Sequence, residues 1–207
     1  MTRAWALLVS ALLLGTGACG PRRETAMGRG PDQYKVLLQT TKGDVVILVH
    51  RDWSPLGADH FYELTKMGFY NNNYFFRALK GYLVQWGING SPKLNGKWTS
   101  YPIRSDAPKV SNKMGTVVFV TLGPNSRWTQ VFINLDDNSP SLDPQGFTPF
   151  GEVTQGLENV QNIFMDYGDA PPRGSGPDPM IISNKGNKYL QKSFPELDRI
   201  KKAEVVP

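Results

Sequence analysis

Apolar residues in this chain come in short runs divided by turns, and the first two runs pair through their punctuation. Tyr34–Gln39 and Asp44–His50 flank Thr40-Thr41-Lys42-Gly43, a pattern that predicts a β-hairpin. Val45 to Val49 is continuously apolar, as in a strand covered on both faces. Ser54-Pro55 predicts a helix start, with Ser54 as cap and Pro55 as first helical residue. Ala58, Phe61, Tyr62 and Leu64 share one helical face, and Gly68 ends the helix. Asn71-Asn72-Asn73 reads as a turn into two strands within 75–87. Residues 88–114 read as loops, and Gly115–Leu122, Gln130–Asn134 and Phe147–Val153 as strands. Leu157, Val160 and Phe164 have helical spacing, Gly168–Pro179 is a polar Pro/Gly-rich connection, and Arg199–Val206 closes the pattern as a strand. Several strands with two well-separated helices predict a mainly β fold, a barrel with helices covering it.

Composition agrees. The 207 residues include 21 Gly and 16 Pro, which favours turns and short strands over a helical bundle. The formal net charge of +5 is scattered rather than striped, which predicts a solvated basic surface and no nucleic-acid partner. At the N-terminus, Arg3, the apolar run Ala6–Leu14 and the small residues Gly15-Thr16-Gly17-Ala18 predict a signal peptide over 1–19. The run is short for a membrane span. Ala18-Cys19-Gly20 resembles the cleavage point of a bacterial lipoprotein signal, with Thr16 where an aliphatic residue is usual. Two readings stay open: lipid on Cys19 as a membrane anchor, or a plain signal with an incidental cysteine. Cys19 is the only cysteine, so the folded domain has no internal disulfide. Residues 20–33 read as a flexible tether and 34–207 as one domain. The expected location is extracytoplasmic: periplasmic or membrane-anchored in a bacterium, the secretory pathway in a eukaryote.

The chemistry concentrates in Phe75-Phe76-Arg77-Ala78-Leu79-Lys80-Gly81-Tyr82-Leu83-Val84-Gln85-Trp86-Gly87. Arg77 is a permanent cation among apolar residues, costly there unless something binds it. Gln85 follows eight residues later with an amide that both donates and accepts. Other constellations fail. His50 and His60 lack clustered cysteines or carboxylates, so no metal is expected. Asp136-Asp137 belongs to a turn, and Asn89-Gly90-Ser91 is a glycosylation sequon followed by Pro92.

Three blocks together resemble the cyclophilins, which are peptidyl-prolyl isomerases. The first is Phe75–Gly87, similar to Phe-x-Arg…Gly-Phe-x-x-Gln-x-Gly with Tyr82 at the usual phenylalanine. The second runs from Gly115 to Asn125, followed by Gln130-Val131-Phe132-Ile133. The third is Leu142-Asp143-Pro144-Gln145-Gly146-Phe147-Thr148-Pro149-Phe150-Gly151-Glu152-Val153. The resemblance implies an eight-stranded antiparallel β-barrel capped by two α-helices, with the site in a groove on its outside. It implies Arg77 as the catalytic residue and Tyr82, Leu83, Phe132, Leu142 and Phe147 as the proline pocket. Gln85 and Gln130 would hold the substrate backbone beside Val120 and Thr121. The expected partners are proline-containing polypeptides, with no cofactor and a monomeric protein. Departures are Phe147 where histidine is common, Ser141 or a neighbour in place of a tryptophan, Phe76 beside the arginine, and Thr121 for asparagine. The missing indole implies weak cyclosporin binding. The rival reading is a non-catalytic proline-binding module on the same fold.

Overall fold

The computed structural model describes residues 28–98 and 100–207. The expected signal over 1–19, Cys19 included, and the first part of the expected tether lie outside the described residues. In chain order the strands are β1 Gln33–Thr40, β2 Gly43–His50, β3 Asn73–Tyr74, β4 Arg77–Leu79, β5 Leu83–Trp86, β6 Thr116–Phe119, β7 Val131–Asn134, β8 Pro149–Gln155 and β9 Arg199–Val206. The helices are α1 Pro55–Lys66, α2 Pro92–Trp98, α3 Ser139–Leu142, α4 Leu157–Gln161, α5 Pro179–Lys185 and α6 Asn187–Ser193.

Among the described residues, all nine strands belong to one antiparallel sheet, ordered β3-β9-β1-β2-β8-β6-β7-β5-β4. The two edge strands, β3 and β4, are separated in sequence only by Phe75 and Phe76. So short a link forces the two edges together, and the sheet curls into a barrel. A side chain helps hold the seam: Asn73 Oδ1 on β3 accepts from the Gly87 amide just beyond β5, at 2.8 Å. The sheet has nine strands against eight expected, because the two-residue β3 pairs separately with β9.

Strand alternation fills the interior. On β2, Val45, Ile47 and Val49 are buried, while Val46 and Leu48 are half-buried on the outer face. The continuous apolar run therefore behaves as an alternating strand, whose outer Val46 lies opposite Leu37 on the neighbouring strand. Helix α1 lays Ala58, Phe61 and Leu64 on the barrel, and Phe61 meets Phe150 at 4.9 Å between ring centroids. Ser54 sits at the predicted cap position without capping. The acceptor for the Leu56 and Gly57 amides is Asp106, from the distant 100–114 loop, and Ser54 itself donates to that carboxylate. Asn89, the residue of the glycosylation sequon, is buried and donates to the Phe69 carbonyl.

The chain also forms more helices than its periodicity suggests. The seven-residue helices α5 and α6 are too short to show a repeat. They bury Ile182 and Leu190 in a second apolar cluster with Tyr74, Phe76, Ile88 and Leu197. This cluster includes Phe76, the residue next to Arg77. Of the expected tether, Gly30 is buried and its amide donates to Asp59 at 2.9 Å.

His60 on α1 is fully buried, with its Nε2 within hydrogen-bonding distance of the Trp128 carbonyl. Burial pulls its pKa down to about 4, against an ordinary 6.5. The unfolded chain then takes up this proton first as pH falls, so His60 withdraws stability between pH 6.5 and 4. From pH 7 to pH 5 the expected loss is about 2 kcal/mol from this group. Denaturant midpoints at the two pH values check it, and His60→Gln should flatten that part of the profile.

Candidate functional site

Register builds the site. Arg77 on β4 is paired with Gln85 on β5, Gln85 with Phe132 on β7, and Phe132 with Val118 on β6. Paired residues point to the same side of a sheet, so these four form one row across four strands. Their neighbours Val84, Ile133 and Val117 form the next row, pointing inward to the core. The row of Arg77 thus faces outward, as expected of a groove on the barrel's exterior.

Arg77 is held in a chain of polar contacts. Its Nη1 donates to Gln85 Oε1 at 3.1 Å, and Gln85 Nε2 donates to Gln130 Oε1 at 2.8 Å. On the other side, Arg77 Nε and Nη2 donate to the two oxygens of Asp169 at 2.9 and 3.1 Å. A guanidinium has five N–H donors in a fixed plane. Three are committed here, which leaves one on Nη1 and one on Nη2 for another acceptor. Asp169 is held below the ordinary carboxylate range, chiefly by its hydrogen bonds from Arg77.

The apolar part lies beside this fork. Leu83, Val118, Phe132 and Leu142 are buried together, with Tyr82, Val120 and Phe147 packed half-buried around them. Phe147 stands edge-on to Phe132, with ring centroids 5.7 Å apart. Every expected pocket residue is in this one cluster. Val118 joins it unforeseen, since its strand gave no hint of which residues face out. The Val120 amide donates to the Gln130 carbonyl at 2.9 Å, which fixes the edge next to Gln130. Thr121 goes elsewhere: its hydroxyl donates to the Gly123 carbonyl at 2.5 Å in its own turn. It lines a cavity of about 240 Å³ with Ser105, Asp106, Pro108, Pro124 and Gly146, beside Phe147.

A buried amide network holds the pocket walls, and sequence reasoning missed it. Asn134 Nδ2 donates to Thr116 at 2.9 Å, and Asn138 Nδ2 donates to Asn134 Oδ1 at 2.7 Å and to the Tyr82 carbonyl at 2.8 Å. Asn112 Nδ2 donates to Asp143 at 2.7 Å and to the Phe147 carbonyl at 2.9 Å. Tyr82 and Phe147 are therefore fixed through their backbones. An asparagine at a strand end or turn carries no local sign of such a partner. Gly87 adds a steric condition. Its φ is +111°, and a Cβ there would lie 2.3 Å from the Thr129 carbonyl oxygen, so only glycine lets β5 approach the Thr129–Gln130 backbone this closely.

Comparison with known proteins bears on this geometry. Residues 35–178 match the family described as cyclophilin type peptidyl-prolyl cis-trans isomerase/CLD. The chain is similar to peptidyl-prolyl cis-trans isomerase B of Escherichia coli, 34% identical over 136 residues, covering 62% of this chain and 82% of that protein. It is also 34% identical over 148 residues to peptidyl-prolyl cis-trans isomerase sig-7 of Caenorhabditis elegans, covering 67% of this chain and 34% of that longer protein. Among solved structures, a cyclophilin type peptidyl-prolyl cis-trans isomerase of Cryptosporidium parvum superposes with a TM-score of 0.61 at 20% identity, covering 84% of this chain and 98% of that one. A second structure of that protein, in the presence of the dipeptide Ala-Pro, gives 0.59 at 19% identity, covering 84% and 99%. The structural likeness concerns the fold.

Proposed function

The chain belongs to the cyclophilin-type peptidyl-prolyl cis-trans isomerase family, and from that premise we propose that Arg77 accelerates X–Pro rotation in exported polypeptides by stabilising the twisted amide. The observation that carries this reading is the placement of a guanidinium with two uncommitted N–H donors next to an outward apolar cluster.

Rotation about a peptide bond faces a barrier of about 18–20 kcal/mol because the C–N bond has partial double-bond character. For X–Pro the two isomers lie within about 1 kcal/mol of each other, yet they exchange slowly. No covalent bond breaks, so the site must bind the twisted state better than either planar state. On twisting, the prolyl nitrogen regains its lone pair and can accept a hydrogen bond from Arg77. The proline ring, which offers no N–H donor, suits the Phe132, Leu142, Phe147, Leu83 and Tyr82 surface. Gln85 and Gln130 would take the substrate backbone, with the Val120–Thr121 edge alongside. The Ala-Pro dipeptide in the Cryptosporidium parvum study is consistent with proline-containing polypeptides as partners.

An export signal over 1–19, with Cys19 either a lipid anchor or an incidental residue of a plain signal, and a monomeric domain complete the proposal. The residues available to drug binding extend it: Ser141 is exposed and donates to the Asn138 carbonyl. With no indole in its place, cyclosporin should inhibit weakly, and submicromolar inhibition would overturn that part.

The test is the cis-to-trans rate of an X–Pro peptide with increasing protein. Acceleration proportional to protein concentration is the expected result. Saturable peptide binding without acceleration would instead support the non-catalytic module.

A further inference from the structure

Resting on that reading, we infer that Asp169 is a positioning residue for Arg77, supplied by a loop built to present it. Asp169 lies 92 residues from Arg77 in sequence, within a connection that carries no periodic pattern. The two side chains are only 20% and 14% exposed, and both carboxylate oxygens are engaged along one edge of the guanidinium. Side-on pairing of this kind fixes a plane as well as a position. Gln85 alone would hold Arg77 by one hydrogen bond, which permits rotation about it. With Asp169 in place, the uncommitted N–H on Nη1 and that on Nη2 are confined to directions set by the protein.

The loop around Asp169 is ordered by its own contacts. The Gly176 amide donates to the Asp169 carbonyl at 2.8 Å, and the Ala170 amide donates to Asp169 Oδ1 at 2.9 Å. A Cβ at Gly174 would lie 2.3 Å from the Asp169 carbonyl oxygen, so the turn closes tightly over that residue. Arg173 also approaches the carboxylate, at 3.3 Å, but its side chain is 76% exposed and adds little.

Both partners stand on the same apolar cluster. Phe76, next to Arg77, is buried in it, and Tyr167, two residues before Asp169, packs against it with Phe194. The cluster is completed by Ile182 and Leu190 of the α5–α6 pair. The C-terminal helices thus tie the carboxylate and the guanidinium to one rigid base, as precise positioning of a reacting group requires.

The experiment compares Asp169→Ala, Asp169→Asn, Arg77→Ala and the Arg77→Ala/Asp169→Ala double variant in the X–Pro rate assay, with folding checked by near-ultraviolet circular dichroism. Asp169→Ala should lower kcat on the order of tenfold or more with KM little changed. Asp169→Asn, which keeps an acceptor, should retain more activity than the alanine variant. The double variant should match Arg77→Ala, because a residue acting only through Arg77 has nothing left to orient. Unchanged or raised activity in a folded Asp169→Ala protein overturns the inference, and so does a further loss in the double variant. An active protein indifferent to Arg77→Ala would instead sink the functional reading on which the inference rests.

Discussion

Replacing Arg77 with alanine is expected to reduce kcat/KM for X–Pro isomerisation by about 10²–10³, the usual cost of removing one donor aimed at developing charge. The lost bond is one that a planar substrate cannot make well, because the prolyl nitrogen is then a poor acceptor. The loss should therefore fall on kcat more than on KM. Arg77→Lys should recover little. An ammonium on a flexible stem cannot span Asp169 and Gln85 while presenting a donor in a fixed direction. A protease-free rate assay with both variants checks this, and a wild-type rate in Arg77→Ala would refute the assignment. Stability is a separate matter. Removal of the guanidinium opens Asp169 to water on that side and leaves its hydrogen bond from the Ala170 amide in place, so the fold should persist.

The second large effect is on stability, at Arg127. Its side chain is 4% exposed and that of its partner Asp106 is 8% exposed, with Nη2 to Oδ2 at 3.0 Å. Arg127 Nη2 also donates to the Arg104 carbonyl, and Nη1 donates to Ser54 at 3.1 Å. Burial pushes the Asp106 carboxyl upward, but hydrogen bonds from Ser54, Arg127 and the Gly57 amide, with the Arg127 charge, hold it below its ordinary value. Arg127→Met removes the compensating charge and leaves this carboxylate buried. The expected cost is about 3–5 kcal/mol, read as a drop in denaturant midpoint at constant m-value. Adding Asp106→Asn should recover part of it, because the single amide oxygen can still accept from Ser54 and the Gly57 amide without carrying a buried charge, although the acceptor for the Leu56 amide is lost. A single variant within 1 kcal/mol of wild type, as about 1 kcal/mol is ordinary for a point change, would show that the pair does not hold the loop to α1.

The same two arginines mark how far the sequence could be read. Arg77 was legible because its partner is close along the chain. Gly81, with φ +66°, turns β4 back onto β5, and eight residues then bring Gln85 opposite Arg77. Arg127 was invisible. It sits in an irregular stretch, and the residues that bind it, Ser54 by a hydrogen bond and Asp106 by charge, come from a helix start and a long loop. Asp169 was hidden for the same reason, as was the Asn112–Asn134–Asn138 network behind the pocket. A polar side chain in a loop has many equivalent partners until the chain is folded.

What the sequence determined by itself was therefore local. Alternation and turn residues set the strands, Pro55 and Gly68 bounded α1, and Gly81 turned β4 back so that Gln85 lies opposite Arg77. These depend on interactions within a few residues, where the chain has little freedom. The tertiary structure alone decided which residue caps α1, that two short helices join Phe76 in a second apolar cluster, and that Asp169 closes on the guanidinium. Each depends on contacts between segments far apart in sequence, whose meeting is fixed by packing around the barrel and leaves no periodic trace in the chain.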